Sequence, residues 1–82
     1  MALYHFNWQG KERTVSVKRV EQNMFSLAFI DNEIIQQVAD HLLLEKAKNH
    51  YEYQNKENIV SLEAAASLVN SIEASVGKLS VE

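Results

Sequence analysis

From Leu3 to Ile30 the hydrophobic and polar residues alternate with period two, the pattern of strands that bury one face. Tyr4, Phe6 and Trp8 alternate with His5 and Asn7, Val15 and Val17 with Thr14, Ser16 and Lys18, and Phe25, Leu27 and Phe29 with Ser26 and Ala28. Gln9-Gly10 stands where a two-residue hairpin turn belongs, because glycine takes positive φ without a Cβ clash. Such a turn sets Tyr4 opposite Val15, Phe6 opposite Arg13 and Trp8 opposite Lys11. For the second connection the faces decide. An odd loop of Glu21-Gln22-Asn23 brings Val17 opposite Leu27 and Val15 opposite Phe29, whereas a two-residue loop mixes the faces. Asn23 suits the left-handed position that closes a three-residue loop. The product is an antiparallel meander whose second face is mostly polar, with His5, Asn7, Glu12, Thr14, Ser16, Lys18 and Ser26.

At Asp31-Asn32 the period changes to 3.6. Either residue can cap a helix, Glu33 favours the positive end of its dipole, Lys46 and Lys48 favour the negative end, and Asn49 is a plausible stop. The spacing predicts a helix over residues 33–48 with Ile34, Ile35, Val38, Ala39, Leu42 and Leu43 on one side and Glu33, Gln37, Asp40 and Lys48 on the other. Leu44 falls on the charged side, where no buried core explains it. Tyr51 and Tyr53 alternate with His50, Glu52 and Gln54, which predicts a short fourth strand, and Asn55-Lys56-Glu57-Asn58 is a turn cluster. Ile59 and Val60 form an extended entry to a second helix capped by Ser61. Its stripe is Leu62, Ala65, Val69, Ile72 and Val76, with Gly77 and Lys78 as the stop. The opposite face, Ala64, Ser67, Asn70, Ser71 and Ala74, is small and uncharged, which suits close packing against another element. The expected fold is α+β, in the order β-β-β-α-β-α, with both helices covering the apolar face of the meander.

Eighty-two residues make one domain, 1–82, and its 46 % hydrophobic and 23 % charged residues describe an ordinary folded chain. With no cysteine there is no disulfide, thiolate metal site or thiol nucleophile. No apolar run approaches the roughly 20 residues of a membrane span, and no basic segment precedes one, so the expected location is cytoplasmic with no membrane partner. Charge is uneven. Residues 1–30 hold four cations against two acids, a net of +2, and residues 31–82 hold four against nine, a net of −5. Opposite signs suggest either an electrostatic seam between layers or a basic binding face.

Little here points to chemistry. His41 and Glu45, four apart on a predicted helix, can reach one metal ion, but the same spacing is an ordinary helix-surface pair and a third ligand has no candidate beyond His50 or His5, so neither a metal nor any other cofactor is expected. No serine lies in a Gly-x-Ser-x-Gly elbow, and Gly10 and Gly77 are too far apart for a phosphate loop. Asp31 and Glu33 sit at a helix start, where capping explains them better than acid–base work. A non-enzymatic protein is expected.

Two binding readings remain. Lys11, Arg13, Lys18 and Arg19 among Phe6, Trp8 and Phe25 resemble a nucleic-acid platform in composition, although the same register makes Trp8 with Lys11, and Phe6 with Arg13, plain cross-strand pairs on an acidic protein of pI about 5.6. The favoured expectation is a protein-interaction or assembly module whose partner is itself, motivated by exposed edge strands and weakly polar helix surfaces. The candidate interaction surface is Trp8, Lys11, Arg13, Lys18, Leu44, Ser67 and Ser71.

Overall fold

The alternation of the first thirty residues folds as three strands in the computed structural model, which describes residues 2–48 and 50–76. They are β1 (Ala2–Trp8), β2 (Lys11–Glu21) and β3 (Met24–Phe29). In the first hairpin Gln9 and Gly10 both take positive φ, 54° and 76°, the backbone whose twist matches that of the flanking strands. Its register is the expected one, with Tyr4 opposite Val15, Phe6 opposite Arg13 and Trp8 opposite Lys11.

The second hairpin reaches its expected register by another route. Val17 faces Leu27 and Val15 faces Phe29, but Glu21 pairs with Met24 across a two-residue turn, Gln22-Asn23. The odd residue is Val20, left over where the register shifts between Arg19 and Glu21. A bulge therefore corrects the faces, and Asn23 does not take the left-handed conformation.

The predicted helix over 33–48 is corrected to a short helix followed by a strand. Asp31 caps α1 (Asn32–Gln37), its Oδ1 accepting the Glu33 N–H at 2.9 Å. Val38 leaves helical geometry at φ −125° and ψ −74°. The chain then extends as β4 (His41–Lys46), which pairs Leu42 with Leu27 and Leu44 with Phe25. Without β4, β3 would show a row of open backbone groups beside buried aromatics, and β-pairing satisfies both at once. On a strand Leu42 and Leu44 share one face, so Leu44, which fitted no helical face, is 0 % exposed in the core. β5 (Tyr51–Tyr53) is the short strand expected there, pairing with β4. The sheet is thus a five-stranded antiparallel meander in the order β1-β2-β3-β4-β5.

A 3-10 turn at Lys56–Asn58 leads to α2 (Leu62–Val76), with the Ser61 Oγ accepting the Ala64 N–H at 3.2 Å as the expected cap. The buried stripe of α2 is Ala65, Leu68, Val69 and Ile72, and Leu62 lies outside it, 47 % exposed. Both helices cover one side of the sheet, α2 chiefly over β1, and their apolar residues meet Phe6, Trp8, Val15, Val17, Phe25, Leu27 and Phe29 in one core. The expected stops at Asn49 and at Gly77-Lys78 lie outside the described residues. No helix among the described residues is long and apolar enough to cross a membrane.

Candidate interaction surface

A meander leaves two edges, and here they differ. β5 is three residues long and carries Glu52, two features that discourage a further strand. β1 is seven residues long and holds no charge, no proline and no bulge. In a two-residue hairpin the pair beside the turn, Trp8 with Lys11, is hydrogen-bonded, and bonded pairs then recur at Phe6 and Tyr4. The N–H and C=O groups of Leu3, His5 and Asn7 consequently point to the outer edge of the sheet. Leu3 itself is 68 % exposed.

The flank of α2 beside this edge is made of small residues. Trp8 Nε1 donates to Ser67 Oγ at 3.4 Å, which fixes Ser67 on the β1 side of the helix. Ala64, Ser71 and Ala74 follow on the same side at helical spacing. Side chains of this size allow another backbone to approach closely.

At the β1–β2 turn, Arg13 is buried on the apolar face, its side chain 1 % exposed. Nη1 donates to Asp31 Oδ2 at 2.8 Å and to Glu33 Oε1 at 2.9 Å, Nε donates to the Trp8 carbonyl at 3.2 Å, and the guanidinium lies 5.6 Å from the centre of the Trp8 ring. Lys11 Nζ donates to the same Glu33 Oε1 at 3.2 Å. The Arg13 hydrogen bond holds the Asp31 carboxyl below the usual carboxylate range. Glu33 is also held low, first by Lys11 and then by Arg13. Asp31 in turn pushes the Arg13 guanidinium higher, against the opposing effect of burial. This cluster is the electrostatic seam: cations of the N-terminal third meet acids of α1, and the short helix is fastened to the hairpin. Two of the four cations expected to form a basic face are therefore already paired.

No family model, curated protein or solved structure matches this chain. The site must therefore be judged on its own geometry.

The fold brings Trp8, Lys11, Arg13 and Ser67 together, with Ser71 one helical turn further along α2, but unequally. Trp8 and Arg13 are buried, Lys11 and Ser67 are exposed, and Ser71 is half-buried. Lys18 lies exposed on the uncovered face of the sheet, opposite Ser26. Leu44 belongs to the core and leaves the surface altogether. His41 and Glu45, on a strand and not a helix, are about 13 Å apart along β4 and cannot share one ion. Among the described residues no three His, Cys, Asp or Glu side chains cluster as metal ligands. His41 Nδ1 instead lies 2.8 Å from Asp40, and His5 Nδ1 lies 3.2 Å from Thr14 Oγ1.

The sequence pointed to His5 and Asn7 as part of a polar sheet face that could make contacts, together with Thr14, Ser16 and Lys18, but not to Leu3 or to the backbone edge of this strand, although the signal was legible. A strand of alternating residues with no charge and no proline is an unprotected edge wherever it is not central, and a first strand in a meander is an edge.

Proposed function

We propose that this chain is a small non-enzymatic assembly module that pairs with a second copy of itself through the outer edge of β1. The observation that carries this reading is an edge strand of seven residues whose own sequence holds no charge, proline or bulge to blunt it. Antiparallel pairing of β1 with its own copy across a two-fold axis joins the outward N–H and C=O groups of Leu3, His5 and Asn7 to their equivalents, and an uncharged strand meets no repulsion there. The small flank of α2, with Ser67 and Ser71, lies beside the same edge and accommodates the approaching subunit.

Proline at His5 removes an outward N–H and none of the backbone bonds to β2, and the one contact it gives up there, His5 Nδ1 with Thr14 Oγ1, is exposed, so His5→Pro tests the reading with little damage to the fold. In sedimentation velocity the wild type is expected to be dimeric at high micromolar concentration and His5→Pro monomeric, with matching far-UV circular dichroism. A wild type that stays monomeric, or a His5→Pro protein that dimerises equally well, overturns it.

A further inference from the structure

At the edge of the sheet opposite β1, a recess of about 440 Å³ opens between residues at the β4–β5 connection and α2. This volume lies within the range of small-molecule sites. Its apolar lining includes Val69, which is buried, and the half-buried ring of Tyr53, whose hydroxyl is pushed up by burial. On one wall the Tyr51 hydroxyl donates to Glu73 Oε2 at 2.8 Å, which fixes both side chains. Two lysines converge on the recess, Lys46 from the end of β4 and Lys48 from the turn. Among the described residues neither is in an ion pair, although residues 31–82 carry nine acids. His50 stands beside them, 3.5 Å from Glu52. Two lysines outside any ion pair among the described residues, lining a mostly apolar recess whose one carboxylate, Glu73, is engaged by Tyr51, present the complement of a ligand with a flat apolar body and one negative end.

We infer that this recess binds a small aromatic carboxylate, its ring against Tyr53 and Val69 and its carboxylate between Lys46 and Lys48. Charge-assisted hydrogen bonds from two ammonium groups give the anion its orientation, and the tyrosines favour a planar ring over a branched chain. The site shares no residue with the β1 edge, so binding and self-association are tested separately.

The experiment is a titration of the isotope-labelled full chain with 1-naphthoate, followed by amide chemical shifts, alongside its neutral counterpart 1-naphthalenemethanol. Shifts are expected in two stretches, Lys46 to Tyr53 and Ala66 to Glu73. The neutral alcohol is expected to bind about tenfold more weakly, and a Lys46→Gln/Lys48→Gln double variant to lose about tenfold in affinity for naphthoate. The variant's own spectrum reports that it is folded. Absence of localised shifts up to about 5 mM naphthoate overturns the site. Equal binding of the alcohol, or an unchanged affinity in the double variant, overturns the assignment of an anion.

Discussion

Asn55 carries more of the structure than its place in a turn cluster suggests. It is buried, its Nδ2 donates to the His41 carbonyl at 2.9 Å, and its Oδ1 accepts the Leu43 N–H at 3.0 Å. One side chain thus replaces a strand along the part of β4 that β5 is too short to reach. Asn55→Ala should destabilise the protein by about 1 to 3 kcal/mol, because buried backbone groups are left without partners, and a denaturant titration measures it. A change near zero would mean that water takes over both bonds. The Arg13 cluster makes a different prediction at the same scale. Asp31 and Glu33 have folded values below their ordinary 3.8 and 4.5, so their contribution is present above those values and fades as pH falls through the lower folded ones. Asp31→Asn keeps the oxygen that caps α1 and removes the charge facing Arg13. The variant should lie below the wild type in denaturation midpoint near neutral pH and converge with it in acid. A gap that stays constant with pH would assign the loss to packing instead. The sequence placed Arg13 opposite Phe6, which is where it lies, but assigned it to the interaction surface, because its burial depends on two carboxylates about 20 positions away that no local pattern connects to it.

Among the elements, the three N-terminal strands were legible and the segment after them was not, for a physical reason. In the strands, side-chain period and turn length constrain each other, so the faces alone demanded an odd count between β2 and β3, and a bulge at Val20 supplied it where a loop was expected. Over residues 33–48 the apolar positions fit a helical stripe well, and local propensity gives no reason to break it. The break comes from β3, whose outer edge needs a partner: pairing there satisfies its open backbone groups and buries Leu42 and Leu44 together, which continuing the helix over 38–48 would not. Leu44 was the visible misfit. As a strand residue at 0 % exposure, Leu44→Ala should cost roughly 2 to 5 kcal/mol in chemical denaturation, as expected for a large core residue truncated to alanine. A cost within about 0.5 kcal/mol would match a surface position and restore the long helix. In α2 the stripe was right at Ala65, Val69 and Ile72, and the shift from Leu62 to Leu68 reflects how the helix is turned to sit over β1.

For the molecule as a whole, the same meander that makes a simple core fixes where it can meet others. Every strand pairs with its neighbour in sequence, so among the described residues the first strand is an edge. Its own residues bring no charge, proline or bulge to blunt it. The cations that resembled a nucleic-acid platform are divided between the two sides of the sheet, Arg13 inside the core and Lys18 on the uncovered face. This division favours the edge over the basic face as the place of contact. Self-association was expected from exposed edge strands and weakly polar helix surfaces, with Leu44 among its residues. Leu44 lies in the core, so the proposed contact is centred instead on Leu3, His5 and Asn7, with Ser67 and Ser71 kept beside it.

The hydrogen bond from Trp8 to Ser67 joins β1 to a helix 59 positions later, whereas the sheet is built from neighbours alone. Trp8 is also the one tryptophan of the chain. Its emission is therefore an optical reporter of one locality, the end of the core where β1, Arg13 and α2 meet, while far-UV circular dichroism follows the backbone as a whole. Compared in one unfolding experiment, the two signals tell whether sheet and helix part company together or in sequence.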